Sequence, residues 1–174
     1  MKRLLLSILA LFIFCITKGQ NIKVVKNETS YSVYVKGENF DGVIFSEKYA
    51  VENLYELKGH KRFTPSIKEI LSTEKLLASD LNSFKYCHDF VVANLSKYTR
   101  QYLGYINYRG EKMIYINAAW KPDLFHIRAN RESPLKKKTW YNQIVLVEDG
   151  GHYFWNASLN LSQQKIITFT TNGA

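Results

Sequence analysis

The chain has 174 residues, a formal net charge of +9, and is 46% hydrophobic and 14% aromatic. That length fits one domain, alone or behind a processed leader. Two Cys, three Pro and 22% charged residues exclude a disulfide-dense miniprotein, a Pro-rich low-complexity chain and a charge-dominated disordered one.

The first element in chain order is a leader. Lys2 and Arg3 precede an uncharged, mostly apolar run over 4–17, and Gly19 supplies a small residue for cleavage before Gln20. This is the order of a secretory signal peptide, and the run is too short to span a bilayer. The expected division is a signal peptide over 1–19 and one domain over 20–174. Phe12, Ile13 and Phe14 before Cys15 are too bulky for a lipid-attachment signal. The product is therefore expected in the periplasm or outside the cell, not as a lipoprotein, and without a transmembrane segment. Cleavage removes three basic residues and no acid, so the net charge falls to +6. Cys87 is then the remaining cysteine, read as a small buried hydrophobe, with an intermolecular or reactive thiol as the alternative.

Residues 22–25, 31–36 and 42–45 are β-branched or alternating, and turn residues separate them. They are expected strands. A helix is expected over 65–82. Thr64 and Pro65 offer a cap, and Ser66 with Glu69 offers a capping box at an alternative start. Ile67, Ile70, Leu71, Leu77, Ala78 and Leu81 share its apolar face. Residues 83–98 fit a short helix or irregular chain. Strands are expected over 100–107 and 112–118, joined by a turn at Tyr108 to Glu111. Further strands are expected over 143–148, 152–159 and 165–171. Asp149-Gly150 between two of them is a hairpin signal, and Gly151 permits a bulge.

The expected fold is α+β: one main helix packed on an antiparallel four-stranded meander, with additional short N-terminal strands. The element order resembles that of cystatin-like and NTF2-like folds. Residues 64–174 resemble small exported proteins of Bacteroidota-type bacteria without assigned function. The segments that carry this are 100–106, 113–117, Asp149-Gly150-Gly151 with Tyr153-Phe154, and the end at Asn172-Gly173-Ala174. The leader ending before Gln20 fits the same group. The resemblance implies export and brings no cofactor or catalytic residue.

No sequence motif announces catalysis. His60, His88, His126 and His152 are far apart, and no zinc, calcium or phosphate-loop spacing occurs. No nucleophile elbow is present. Cys87 beside His88 is adjacency in sequence, whereas a catalytic pair is adjacent in space. Neither a metal nor another cofactor is expected. The sharpest surface feature is a basic stretch, Arg128, Arg131, Lys136, Lys137 and Lys138. It reads as a solvated loop or a contact for an anionic surface. Asp149, Gly150 and Gly151 form a candidate hairpin contact. Trp120 and Trp140 with neighbouring tyrosines offer a glycan or peptide surface. The function expected from these features is a non-catalytic binding module for a protein, a glycan or an anionic surface, not for nucleic acid. The alternatives are a cystatin-like proteinase inhibitor and a small NTF2-like enzyme. A polar-lined pocket with a perturbed ionisable group would favour the enzyme.

Overall fold

The structure is a computed structural model. It describes residues 22–26, 31–51, 54–84, 89–121, 137–147 and 149–172. The leader, its Gly19–Gln20 junction, Cys87, His88 and His126 lie outside them. The strands are β1 (Lys23–Lys26), β2 (Ser32–Lys36), β3 (Asp41–Phe45), β4 (Lys61–Phe63), β5 (Tyr98–Ile106), β6 (Lys112–Trp120), β7 (Gly151–Asn160) and β8 (Lys165–Asn172). The helices are α1 (Ile67–Asp80), α2 (Asp89–Ala93) and α3 (Lys137–Asn142). The chain is thus α+β, as its residue patterns indicate.

All eight strands belong to one sheet in the order β1-β2-β3-β5-β6-β7-β8. The N-terminal strands extend the same sheet rather than forming a separate hairpin. Pairing is antiparallel except between β3 and β5, which run parallel. Strand β4 lies on the same edge of β5, beyond the end of β3: β3 pairs with residues 99–103 and β4 with 104–106. Gly42 permits the parallel contact, because a Cβ there would stand 2.3 Å from the Arg100 carbonyl oxygen.

Ser66 caps α1. Its Oγ accepts from Glu69 N–H, and the Glu69 carboxylate accepts from the Ser66 N–H at 2.8 Å. The capping box therefore starts the helix, and Thr64 and Pro65 lie before it. Ile70, Leu77 and Leu81 bury the inner stripe of α1 against Tyr102, Ile114, Ile116, Trp155 and Leu159. In the described part of 83–98, α2 is followed by a 3₁₀ turn at Leu95–Lys97, and another 3₁₀ turn, Leu81–Ser83, follows α1.

The opposite face of the sheet is also apolar. Val43, Phe45, Leu103, Met113, Tyr115 and Phe154 make a second core with Leu54, Leu57 and Trp140. The alternation is clean: Ile114 and Ile116 face α1, and Met113 and Tyr115 face away. Of the expected strand over 143–148, the described residues 143–147 are not a strand, and Asp149-Gly150 does not join two strands as a hairpin. Residues 144–147 are irregular chain lying over this second face. Their apolar side chains Ile144, Val145 and Val147 are used to pack on the sheet rather than in strand pairing.

Irregular chain over a sheet needs hydrogen-bond partners for its backbone. Two buried amides provide them. Gln101 Nε2 donates to the carbonyls of Trp140 at 2.7 Å and Gln143 at 2.6 Å. Its Oε1 accepts from Asn117 Nδ2 at 2.8 Å and from Val145 N at 3.2 Å. Asn117 Nδ2 also donates to the Val145 carbonyl at 2.7 Å. Replacing Gln101 by Leu keeps the bulk and strips these partners. We expect a loss of at least about 2 kcal/mol in urea unfolding, since each buried orphan costs about 1–3 kcal/mol. Native-state proteolysis within 140–147 should accelerate in the same variant.

Candidate functional site

A cleft of about 870 Å³ opens between α1, the segment 92–96, Phe40 and the start of β5. Phe40, Leu71, Ala78, Val92 and Leu95 form apolar walls. Exposed Asn39, Lys75 and Ser96 stand at the mouth. Its floor holds two charges, Glu74 and Arg100.

Both charges sit where periodicity places core residues. Glu74 falls between Ile70 and Leu77 on the inward stripe of α1. Arg100 alternates with Tyr98 and Tyr102 on the α1 side of β5. Arg100 is completely buried, and Glu74 keeps 10% of its side-chain surface. The Arg100 Nε lies 3.3 Å from Glu74 Oε1 as a charge contact without hydrogen-bond alignment. Arg100 Nη2 donates to the Leu95 carbonyl at 2.7 Å, and its guanidinium lies 6.0 Å from the Trp155 ring. Tyr102 Oη donates to Glu74 Oε1 at 2.8 Å.

Burial is the largest influence on Glu74 and pushes its carboxyl up, aided by the charge of Asp41. Arg100 and the Tyr102 hydroxyl oppose that rise without cancelling it. Burial and the adjacent Glu74 hold the Tyr102 phenol well above its ordinary value, so it remains a donor. Close by, Lys121 Nζ pairs with Asp41 at 3.3 Å. The arrangement provides one carboxyl shifted toward its neutral form, one locked phenol donor and an apolar recess. That is the equipment of a recognition site with a single acid–base group.

None of the described residues that sequence reasoning marked for function lines the cleft. Arg128, Arg131 and Lys136 are outside the described residues. Lys137 and Lys138 begin α3 rather than sitting in a loop. Asp149 is exposed with φ of 56°, and Gly151, φ 54°, opens β7. A Cβ on Gly150 would meet the Phe154 ring at 2.3 Å, so this glycine serves packing. Trp140 is buried in the second core while Trp120 packs against the first, so they share no surface. His60 packs on Tyr105 and Tyr108, and His152 on Phe90 and Tyr153. Among the described residues no three of His, Cys, Asp and Glu cluster as metal ligands. No described helix is long and apolar enough to cross a membrane.

The sequence reading passed over Glu74 and Arg100. The signal was available: opposite charges each placed in phase with a core stripe. Comparison with models of known families, with curated proteins and with solved structures finds no match in any of the three.

Arg100→Met leaves Glu74 in the core without its countercharge, at a cost of about 3–5 kcal/mol near neutral pH. The carboxyl then rises further above its unfolded value of about 4.3. The folded state binds the extra proton, so the variant should regain stability as pH falls through the folded value. Urea unfolding at successively lower pH, down toward the unfolded value, should show that gain over the unsubstituted protein. Adding Glu74→Gln should remove it.

Proposed function

We propose that the protein is an exported, single-domain α+β binding module whose ligand occupies the cleft beneath α1. The observation that carries this reading is the cleft floor, where the Glu74 carboxyl meets an apolar recess. A volume of about 870 Å³ is that of a small-molecule site, and such sites combine apolar walls with few polar groups. Export rests on the leader and on the resemblance to exported Bacteroidota-type proteins. An NTF2-like kinship fits a cleft beside the main helix. A cystatin-like inhibitor has less to present, because Asp149-Gly150 does not tip a hairpin.

The carboxyl of Glu74 also suits a general acid, since burial moves it toward neutral pH. Binding is favoured because Tyr102 is locked as a donor on the same oxygen and Arg100 is sealed beneath it.

Two outcomes test the proposal. The neutral dye N-phenyl-1-naphthylamine should brighten on binding the folded protein. Ala78→Trp, which fills the cleft from an exposed helix position, should weaken dye binding about tenfold or more, equivalent to about 1.4 kcal/mol. The neighbouring control Ser79→Trp should leave it unchanged. Equal binding by both variants would place the dye elsewhere and reject the cleft. Separately, the intact mass of the protein recovered outside the cytoplasm should begin at Gln20, with or without ring closure to pyroglutamate. Recovery only of the full-length chain would reject export by this leader.

A further inference from the structure

The cleft also specifies the polar head of what it binds, an inference that rests on the binding reading above. Glu74 uses its two oxygens unequally. Oε1 takes the Tyr102 hydroxyl at 2.8 Å and the Arg100 contact at 3.3 Å. Oε2 takes no hydrogen bond from the described residues, and Glu74 is not fully sealed from the cleft. In the ionised form of Glu74, a ligand head that reaches the floor therefore meets an acceptor and has to supply a donor. Arg100 cannot serve it instead, because its side chain has no exposed surface and Nη2 is turned to the Leu95 carbonyl.

The charge balance selects further. Glu74 is already matched by Arg100, and Asp41 by Lys121. A cationic head would share its carboxylate with Arg100 and pass Lys75 at the mouth. An anionic head would face the free carboxylate oxygen. An ion of either sign would be stripped of water without finding an unpaired countercharge, which costs far more than dehydrating a hydroxyl or an amide. Phe40, Leu71, Val92 and Leu95 meanwhile give a hydrocarbon tail somewhere to lie. We propose that the cleft binds a neutral amphiphile whose O–H or amide N–H donates to Glu74 Oε2 while its apolar chain follows these walls.

The test is displacement of bound N-phenyl-1-naphthylamine by four competitors with one common chain: decanol, decyl methyl ether, decylammonium and decanoate. Decanol should displace the dye roughly tenfold more tightly than the ether, which lacks a donor, and more tightly than either ion. Glu74→Gln replaces the free oxygen by an amide that can itself donate, so the preference for alcohol over ether should collapse. The unsubstituted protein decides the matter alone if that variant does not fold. Equal displacement by alcohol and ether overturns the head-group assignment and leaves the cleft standing, as does a stronger effect of decylammonium or decanoate. Failure of the dye to bind in an Ala78-dependent manner overturns both readings.

Discussion

Strands β5 and β6 are buried on both faces, and this constraint shapes the remainder of the chain. Every residue of 98–105 and of 113–119 is buried. An antiparallel sheet can leave one face to water, but here Leu103, Met113 and Tyr115 need a cover as much as Tyr102, Ile114 and Ile116 do. One face is met by the amphipathic stripe of α1. The other receives Leu54, a single 3₁₀ turn ending at Leu57, Trp140 from the short α3, and irregular chain along 144–147. A regular element carries its own backbone hydrogen bonds, and an irregular one does not. That difference explains why the buried polar groups of the helix side serve the helix itself or one charge pair, as Thr73 and Tyr102 do, while Gln101 and Asn117 on the other side hold irregular chain. Tyr49 Oη, accepting from Ile144 N at 3.0 Å, and Ser32 Oγ, donating to the Tyr141 carbonyl at 2.8 Å, extend the same system of pins.

The parallel contact of β3 with β5 depends on the same crowding. Gly42 meets the Arg100 carbonyl, and the Tyr102 ring lies 2.7 Å from where a Cβ would stand. Backbone at that place brings Phe40, just before β3, to one wall of the cleft. The cleft is therefore formed by the chain entering β3, the turn after α2, the start of β5 and one side of α1. Its shape follows from how the N-terminal strands join the sheet.

Much of this was legible in the residues. The β-branched runs gave β2, β3 and β5 to β8, and Ser66 with Glu69 marked the start of α1. Strand β4 was not legible, because Lys61, Arg62 and Phe63 show no alternation and pair only through the position of β5. The parallel pairing depends on contacts remote in sequence. Residues 143–148 misled for a physical reason: Ile144 to Val147 is a short apolar, β-branched run that packs on the sheet, and such a run does not by itself distinguish a strand from a pinned cover. The candidate site was missed because a polar residue on an apolar stripe is easily assigned to the solvent face. Its charge partner lay on another element, 26 positions away.

Retention of Glu74 and Arg100 calls for a reason other than stability. A buried ion pair is often no better, and sometimes worse, than apolar residues of the same volume. Leu or Met at both places would continue the stripes of Ile70 and Leu77 on α1 and of Tyr98 and Tyr102 on β5. Here the pair is sealed on one side and open on the other: Arg100 has no exposed surface, and Glu74 keeps 10%. Arg100 and Tyr102 fix Oε1 and so fix the direction of the carboxyl. A pair needed only to hold the helix on the sheet would gain from burying both partners. An acceptor oriented from below by one donor and one countercharge, and reachable from an apolar recess, is the geometry that recognition requires.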